Sequence, residues 1–190
     1  MKITVTGPRS AGKSTVSRIL ANKLGLEYID GDAEVDKAVQ DLGGLYQAMN
    51  DRRVDELMER AVALLEKFFE RDDFVLDLAG GATIPGQSED KAKHAEKIRA
   101  IIKDSTVVLL LPNALEETAI KILQKREIRR EHFVKMQESG LITAAQIKER
   151  TSNSYAANLP AWCSIADVVI YCDDKSPDAI ADEIGAIAKA

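Results

Sequence analysis

The sequence predicts an α/β protein in which one parallel sheet is covered by helices on both faces. Short apolar segments alternate with amphipathic segments along the whole chain of 190 residues. Near-continuous apolar strands are typical of parallel sheets, because the crossover helices bury both faces of the sheet. A chain of this length fits one domain with a sizeable hydrophobic core. We therefore expect a single three-layer α/β/α domain, residues 1–190, built on a five-stranded parallel sheet.

Five segments have the composition of buried strands. The clearest is 106–111, which has the sequence TVVLLL and begins with β-branched residues. The other four predicted strands are 2–6, 26–29, 74–79 and 167–172. Apolar residues spaced three and four positions apart predict helices between the strands, among them long helices over 45–71 and 115–137. Residues 152–162 are expected to form a loop, because they include two asparagines and a proline.

The first predicted strand leads directly into a glycine-rich segment, GPRSAGKS, at residues 7–14. This segment matches the G-x-x-x-x-G-K-[ST] pattern, in which backbone N–H groups surround a phosphate. The lysine of the pattern, Lys13, can reach the β- and γ-phosphates, and Ser14 can bind Mg²⁺ through its hydroxyl. An ordinary glycine turn is the alternative, but the preceding strand and the following amphipathic helix favour a nucleoside triphosphate site. The predicted nucleotide-binding residues are Gly7, Arg9, Ser10, Ala11, Gly12, Lys13, Ser14 and Thr15.

Three aspartates at predicted strand ends are candidate ligands or bases. Asp30 and Asp32 follow the second strand, and Asp77 interrupts the apolar third strand. Ligands of parallel sheets bind beyond the carboxyl ends of the strands, so we expect all three aspartates in one cleft. There Asp30 or Asp32 would lie near Mg²⁺ or the acceptor hydroxyl, and Asp77 would contact Mg²⁺ through water. The alternatives are a helix cap for the first two and local backbone hydrogen bonds for Asp77.

Other charged residues and glycines are candidates on the acceptor side. Arg53 and Glu56 are three residues apart on a predicted helix, where the glutamate can hold the guanidinium in place. An exposed ion pair of little energetic value is the alternative. The segment 125–130, KREIRR, concentrates four cations. Gly80 and Gly81 follow the third strand, where glycine lets the backbone approach a ligand closely.

Composition argues against several classes of function. The net charge of −5 disfavours general nucleic-acid binding, which needs a basic surface. Cys163 and Cys172 are too few and too far apart for a zinc site or a disulfide framework, which favours a reduced, cytoplasmic protein. We expect no membrane span and no signal peptide, because apolar runs are short and the first residues enter a strand at once. The sequence has no guanine-reading Asn-Lys-x-Asp motif, which disfavours a GTPase.

Taken together, these motifs resemble the shikimate kinase family and related small-molecule kinases over nearly the whole chain. The matching segments, in order, are GPRSAGKST at 7–15, LGLEYIDGD at 24–32, RVDE at 53–56 and AGGA at 79–82. Arg150, Tyr155 and the Ala-Asp pair at 166–167 also have counterparts in the family. The acceptor side departs from the family pattern, since Ala82 replaces a third glycine and the lid's Arg-Pro-Leu-Leu sequence is absent.

The resemblance implies a P-loop kinase fold with a helical lid over about 126–140, an ATP co-substrate and Mg²⁺. It implies that Asp30 helps to hold Mg²⁺ through water and that Asp32 binds the acceptor hydroxyl and acts as a base. It also implies that an arginine of the lid covers the phosphates. The candidates for that arginine are Arg126, Arg129 and Arg130.

For the acceptor, the resemblance implies a small molecule with a carboxylate. Arg53 and Arg150 would bind that carboxylate, and Gly80 and Gly81 would offer backbone N–H groups to the acceptor. With Asp32, these four form the predicted acceptor site. The predicted metal ligands are Ser14, Asp30 and Asp77.

The leading interpretation is an ATP- and Mg²⁺-dependent kinase that phosphorylates a hydroxyl of a small anionic metabolite. Phosphoryl transfer requires mainly alignment and charge neutralisation. The residues predicted to supply them are Lys13, Asp32, Arg126 and Arg130. The alternatives are a cytidylate-kinase-like nucleoside monophosphate kinase, whose arginines would bind phosphate, and an ATP-binding regulator without transfer activity. We expect no nucleic-acid or membrane partner, and a monomer or weak homodimer in the cytoplasm.

Overall fold

The computed structural model describes residues 1–86 and 88–189 and contains one parallel sheet. Its strands, in chain order, are β1 (Lys2–Thr6), β2 (Glu27–Asp30), β3 (Phe74–Asp77), β4 (Thr106–Leu111) and β5 (Val168–Tyr171). Their spatial order is β2-β3-β1-β4-β5, and each neighbouring pair is parallel. The predicted five-stranded parallel sheet is confirmed.

Helices connect the strands and continue past the last one. They are α1 (Lys13–Leu24), α2 (Gly31–Ala38), α3 (Gly44–Asn50), α4 (Val54–Phe69), α5 (Glu89–Ile102), α6 (Glu116–Ile128), α7 (Glu131–Glu138), α8 (Ala144–Cys163) and α9 (Pro177–Ile187). Two short 3₁₀ helices span Gln40–Leu42 and Gly80–Thr83. Within the described ranges, none of the helices combines the length and apolar character that a membrane crossing requires.

Helices pack on both faces of the sheet. On one face, Leu20 of α1 and Ile184 of α9 lie against Val5 and Leu110 of the sheet. On the other face, α4 and α5 cover β2 and β3, and α6 and α8 cover β4. The predicted three-layer α/β/α arrangement is therefore confirmed.

Strand β1 holds the centre of the sheet and directs the chain toward the site. Ile3 and Val5 are completely buried, because β3 and β4 flank the strand and helices cover both of its faces. The register places Val5 beside Asp77 of β3, and Asp77 beside Asp30 of β2. The segments that leave these three strands therefore emerge next to one another at the carboxyl edge.

The loop expected at 152–162 is wrong, because α8 continues through this segment to Cys163. Thr143 caps the helix, since its hydroxyl accepts a hydrogen bond from the Gln146 N–H at 3.2 Å. Tyr155 and Trp162 are buried against β4 and α6, and both must lie on the same helical face to do so. This burial outweighs the local preference of Asn and Pro for loops, and Pro160 lies in the last turn.

Two long predicted helices are each broken in the structure. The helix expected over 115–137 is interrupted at residues 129–130, which separate α6 from α7 and let Phe133 pack with Ile142 and Ile147. The helix expected over 45–71 is interrupted at Arg52, whose φ is 59°, between α3 and α4. Both breaks bend the chain around the carboxyl edge of the sheet, where the predicted site lies.

Candidate active site

The predicted nucleotide-binding segment forms the loop between β1 and α1. Gly7 has a φ of 140°, and a Cβ atom there would lie 2.4 Å from the carbonyl oxygen of Leu110. Ser10 and Gly12 also have positive φ values, 63° and 102°. Two glycines and a strained serine therefore give the loop the backbone shape that lets successive N–H groups point at one anion.

Lys13 begins α1 and folds back across this loop. Its Nζ donates hydrogen bonds to the carbonyl oxygens of Gly7 and Pro8, both at 3.2 Å. Ser14 follows it, and both side chains line a cavity of about 870 Å³. The ammonium group and the start of α1 thus face the same space, where a helix N-terminus favours a phosphate.

Two of the three predicted aspartates line this cavity, whereas Asp30 is outside the lining and caps a helix. Asp30 caps α2, since its Oδ1 accepts a hydrogen bond from the Ala33 N–H at 3.1 Å. Asp32, in the first turn of α2, lines the cavity. Asp77 ends β3, lines the same cavity and is 7 % exposed. The helix-cap alternative therefore describes the hydrogen bonding of Asp30, whereas Asp32 and Asp77 face the predicted phosphate site.

Burial disfavours the charged forms of the central groups. Burial lowers the pKa of Lys13, against the opposite effect of Asp77 and Asp32. Burial also raises the pKa of Asp77, although the Ser14 hydroxyl and the Lys13 ammonium act in the other direction. The pKa of Asp32 is raised mainly by burial as well, even though water still reaches its side chain. These groups are therefore arranged for a charged ligand more than for the stability of the empty site.

The oxygen donors beside Lys13 fit Mg²⁺ provided that the nucleotide completes its shell. In the described part of the chain, no group of three or more His, Cys, Asp or Glu side chains could hold a metal ion. A buried carboxylate at Asp77 with the Ser14 hydroxyl beside it is nevertheless a suitable pair of hard oxygen donors. Mg²⁺ usually takes only one or two protein ligands, together with water and phosphate oxygens.

Glu127 is a functional candidate that sequence reasoning missed. Its side chain is buried, and it accepts a hydrogen bond from the Ser10 hydroxyl. Its other contacts are with two guanidinium groups, Arg9 Nε at 3.7 Å and Arg130 Nη1 at 3.4 Å. The signal in the sequence was an acid inside the cationic segment 125–130, four residues after the buried Leu123.

The two arginines predicted to be catalytic occupy different places. Arg126 Nη1 donates to the carbonyl oxygens of Ser10 and Ala11, at 3.0 and 3.4 Å, on the back of the loop. Arg130 lines the cavity, close to Arg9 and Arg150, which line it too. Burial lowers the pKa of Arg9, as do these two neighbouring guanidiniums, while Glu127 has the opposite effect. Three cations thus gather at one side of the cavity.

The predicted acceptor residues are brought together with one exception. Asp32, Gly80, Gly81 and Arg150 line the cavity. Arg53 is outside this lining and forms hydrogen bonds to Glu56 Oε2 from Nε at 3.1 Å and Nη2 at 2.6 Å. The expected pair with Glu56 is confirmed, but it directs Arg53 toward another part of α4.

The 3₁₀ turn after β3 lies against the phosphate-binding loop. A Cβ atom on Gly80 would lie 2.1 Å from the Gly7 carbonyl oxygen. The Gly80 carbonyl accepts a hydrogen bond from Trp162 Nε1 at 2.9 Å, which ties this turn to α8. Only a glycine at position 80 permits this spacing, and it joins the nucleotide side of the cavity to the acceptor side.

Replacing Gly80 tests this contact. We expect Gly80→Ala to lower the free energy of unfolding by about 1–3 kcal/mol, because the new methyl group must displace the Gly7 backbone. The affinity for ATP should fall as well. Gly81→Ala is the matched control, since no described atom lies within 4 Å of its Cβ position, and we expect a change within about 0.5 kcal/mol. Urea unfolding measures both variants, and equal losses would contradict the steric explanation.

Asp77→Asn tests the conflict between stability and ligand binding. Without ligand, we expect the variant to be more stable than the original and to have a higher Tm, because burial disfavours the charged carboxylate of Asp77. The native state holds the Asp77 proton to a higher pH than the unfolded state does. Its stabilising contribution is therefore complete below the ordinary carboxyl pKa and is lost as the pH rises through the raised pKa. The advantage of asparagine should shrink in acid and be largest at neutral pH.

Calorimetry with and without ATP and Mg²⁺ measures this trade-off. ATP with Mg²⁺ should raise the Tm of the protein more than ATP alone does, and this difference should be smaller in Asp77→Asn. Asp55→Asn, on the exposed surface of α4, is the control and should change neither quantity. A lower Tm for ligand-free Asp77→Asn would refute the proposed conflict.

Glu127→Gln tests the buried carboxylate. We expect a loss of about 1–3 kcal/mol in the free energy of unfolding, because Arg9 and Arg130 lose their shared counter-charge. The control is Glu131→Gln, which removes an exposed pair with Lys135 and should cost less than about 0.5 kcal/mol. Chemical denaturation of the two variants checks the difference, and a loss no larger than that of the control would argue against this role.

Comparisons with known proteins identify the family and the fold of this chain. The family model described as "SKI: Shikimate kinase" matches residues 9–189. "Shikimate kinase 1" of Yersinia pestis is 25% identical over 183 residues, which are 96% of this chain and 92% of that protein. Two solved structures share the fold. The shikimate kinase from Bacteroides thetaiotaomicron has a TM-score of 0.72 at 15% identity, over 100% of this chain and 99% of its own.

The second structure is the shikimate kinase from Acinetobacter baumannii in complex with shikimate. Its TM-score is 0.65 at 21% identity, and the match covers 96% of this chain and 89% of that one. At these identities, both structures support the fold alone. The family model spans nearly all of the sequence, and the chain belongs to the shikimate kinase family of ATP-dependent phosphotransferases.

Proposed function

We propose that this kinase uses ATP and Mg²⁺ to phosphorylate a hydroxyl of a small anionic metabolite. The observation that carries the proposal is the single cavity that Lys13, Asp32, Asp77 and Arg130 share. A cation for the phosphates, a carboxylate for a hydroxyl and a carboxylate for Mg²⁺ all border that space. This set of groups is what phosphoryl transfer requires.

On the nucleotide side, backbone N–H groups and the ammonium group of Lys13 would bind the triphosphate. The loop at 7–12 and the start of α1 would surround the β-phosphate, and Lys13 would bind oxygens of the β- and γ-phosphates. Ser14 and Asp77 would hold Mg²⁺, with Asp30 acting through water. When bound, Mg²⁺ would neutralise charge on the phosphates.

Asp32 would orient the acceptor hydroxyl and take its proton. The raised pKa of this carboxylate brings its basicity closer to the working pH, which suits a general base. Arg130 would neutralise charge on the transferred group, and Arg126 would act by fixing the loop carbonyls to which it is bonded. Arg126 would thus be a positioning residue and not the arginine that covers the phosphates.

Arg150 would bind the anionic group of the acceptor, with Gly80 and Gly81 offering backbone N–H groups. Arg9 lies beside Arg150 and would add to the same positive field. The structure of the Acinetobacter relative contains shikimate, which is consistent with an anionic acceptor for this chain. Arg53 would contribute only if its bonds to Glu56 opened.

The lid, residues 126–140, would exclude water during transfer. Its helix α7 already contacts both sides of the site: Phe133 lies under the Arg9 guanidinium at 5.2 Å, and the His132 ring lies 5.8 Å from that of Tyr46 on α3. Exclusion of water limits hydrolysis of ATP without an acceptor. We place this activity in the cytoplasm, in a monomer or weak homodimer without nucleic-acid or membrane partners.

A nucleoside monophosphate kinase is a second candidate, and one observation favours it. Arg9, Arg130 and Arg150 gather three guanidiniums around one side of the cavity, which suits a phosphate as well as a carboxylate. Asp32 would then accept a hydrogen bond from a sugar hydroxyl or a base amino group of the acceptor, and the phosphate would be the group under attack.

Incubation with labelled ATP, Mg²⁺ and defined acceptors separates these functions. We expect label on the hydroxyl of an anionic acceptor, and a loss of at least about 100-fold in kcat/KM for Lys13→Ala. Lys23→Ala, an exposed lysine at the end of α1, is the matched control and should retain activity. Transfer only to nucleoside monophosphates would favour the second candidate. ATP binding that depends on Lys13, with no labelled product from a metabolite extract, would indicate a regulator without transfer activity.

A further inference from the structure

We infer that the acceptor of this kinase carries a bulky apolar portion beside its anionic group, and that α3 and α4 select it. The inference rests on the proposed phosphotransferase function and specifies the class of acceptor for the same site. It comes from the cavity wall formed by α3 and α4, whose lining side chains are all apolar, whereas the charged side chains belong to the other walls.

The wall formed by α3 and α4 is apolar over its whole length. The side chains that line it are Met49, Val54, Leu57, Met58, Ala61 and Leu64. Met49 is 58% exposed, although large hydrophobic side chains are normally covered. An accessible hydrophobic wall inside a cavity of about 870 Å³ is a surface that a ligand can cover.

The polar groups that could bind an anion or a hydroxyl lie elsewhere in the cavity. Asp32, Arg130 and Arg150 border it together with the phosphate-binding loop. Helix α8 adds Ser154 and Asn158, and α5, which packs against α4, adds Lys91. An acceptor whose hydroxyl meets Asp32 and whose anionic group meets the arginines would therefore turn its remaining atoms toward α3 and α4.

Arg53 is the arginine that could make this wall polar, but it belongs to a hydrogen-bond network outside the cavity lining. Glu56 binds Arg53 through Oε2 and Arg60 Nη2 through Oε1, the latter at 2.8 Å. Arg60 in turn binds the Asp41 carboxylate and the carbonyl oxygen of Ala38 at 3.1 Å. These bonds fix α4 to the turn after α2. Movement of Arg53 into the cavity would require breaking its two bonds to Glu56.

The apolar wall would select between acceptors because it offers no hydrogen-bond partners to polar groups of the acceptor. A polyhydroxylated acceptor would place hydroxyls against side chains that offer them no hydrogen bond, and each unpaired hydroxyl weakens binding. An apolar portion at the same place would displace water from the wall instead. We expect this difference to be worth about 10-fold or more in affinity.

Matched pairs of anionic compounds test the inference by calorimetric titration, with Mg²⁺ and a non-hydrolysable ATP analogue present. The first pair is 3-phenyllactate and lactate, which differ by a phenyl ring. The second is cytidine monophosphate and ribose 5-phosphate, which differ by a base. Shikimate serves as the polyhydroxylated reference. The expected result is that the ring-bearing member of at least one pair binds about 10-fold or more tightly than its partner, and more tightly than shikimate.

The pair that shows this advantage identifies the source of the apolar portion. Equal affinities within both pairs, or tightest binding of shikimate, would overturn the inference. Binding of the ATP analogue is measured in the same titrations. If the analogue binds and the acceptors show no preference, only the acceptor class is wrong. If the analogue does not bind, the proposed function fails as well.

Variants of the wall connect the preference to α3 and α4. Met49→Gln places a polar group at the exposed mouth of the cavity, where little packing is lost, and Met58→Gln does so deeper along the wall. Each should reduce the advantage of the ring to about threefold or less. Leu141→Gln, on a side chain that is 73% exposed and outside the lining, is the control and should retain the full advantage. An undiminished preference in both methionine variants would contradict selection by this wall.

Discussion

The close approach of Gly7 to Gly80 determines how the two sides of the site meet. β1 and β3 are neighbours in the sheet, so the chain segments that follow them leave its edge side by side. They can touch because Gly80 has no side chain, since a Cβ atom there would lie 2.1 Å from the Gly7 carbonyl oxygen. Trp162 then holds the Gly80 carbonyl from α8. The glycine-rich loop after β1, the 3₁₀ turn after β3 and the helix that carries Arg150 are thereby fixed as one unit.

Charge is distributed around this unit so that a ligand completes it. Lys13 and Asp77 are buried deeply enough to disfavour their own charges, whereas Glu127 is buried with two guanidiniums and a hydroxyl as partners. Lys13 and Asp77 would therefore gain from the proposed nucleotide and metal ion, whereas Glu127 holds Ser10 of the loop through a hydrogen bond. Because Glu127 contacts both Ser10 and Arg130, the loop and the beginning of the lid share one anchor.

The parts that the sequence predicted well depend on backbone geometry, and the parts it missed depend on long-range packing. The strands were recognisable because a parallel sheet buried on both faces needs nearly continuous apolar runs, as in β4. The phosphate-binding loop was recognisable because its φ values require glycine at fixed positions. The end of α8 was not recognisable as a helix, because the burial of Tyr155 and Trp162 against β4 overrides the loop preference of its asparagines and proline. Glu127 was hidden for the same reason, because two of its partners, Arg9 and Ser10, lie far away in the chain.

Arg53 shows why the acceptor side resists prediction from a pattern. The sequence RVDE at 53–56 fits a grip on a carboxylate, and the predicted pair between Arg53 and Glu56 exists. Yet Glu56 also binds Arg60, which reaches Asp41 and the backbone before α3, so the pair belongs to a network that joins α4 to its neighbour. The same two residues can serve binding or packing, and the third partner decides which. Here the third partner is Arg60, and Arg53 stays outside the cavity lining. The adjacent wall is formed by Leu57 and Met58, so this side of the cavity is more apolar than the RVDE motif implied.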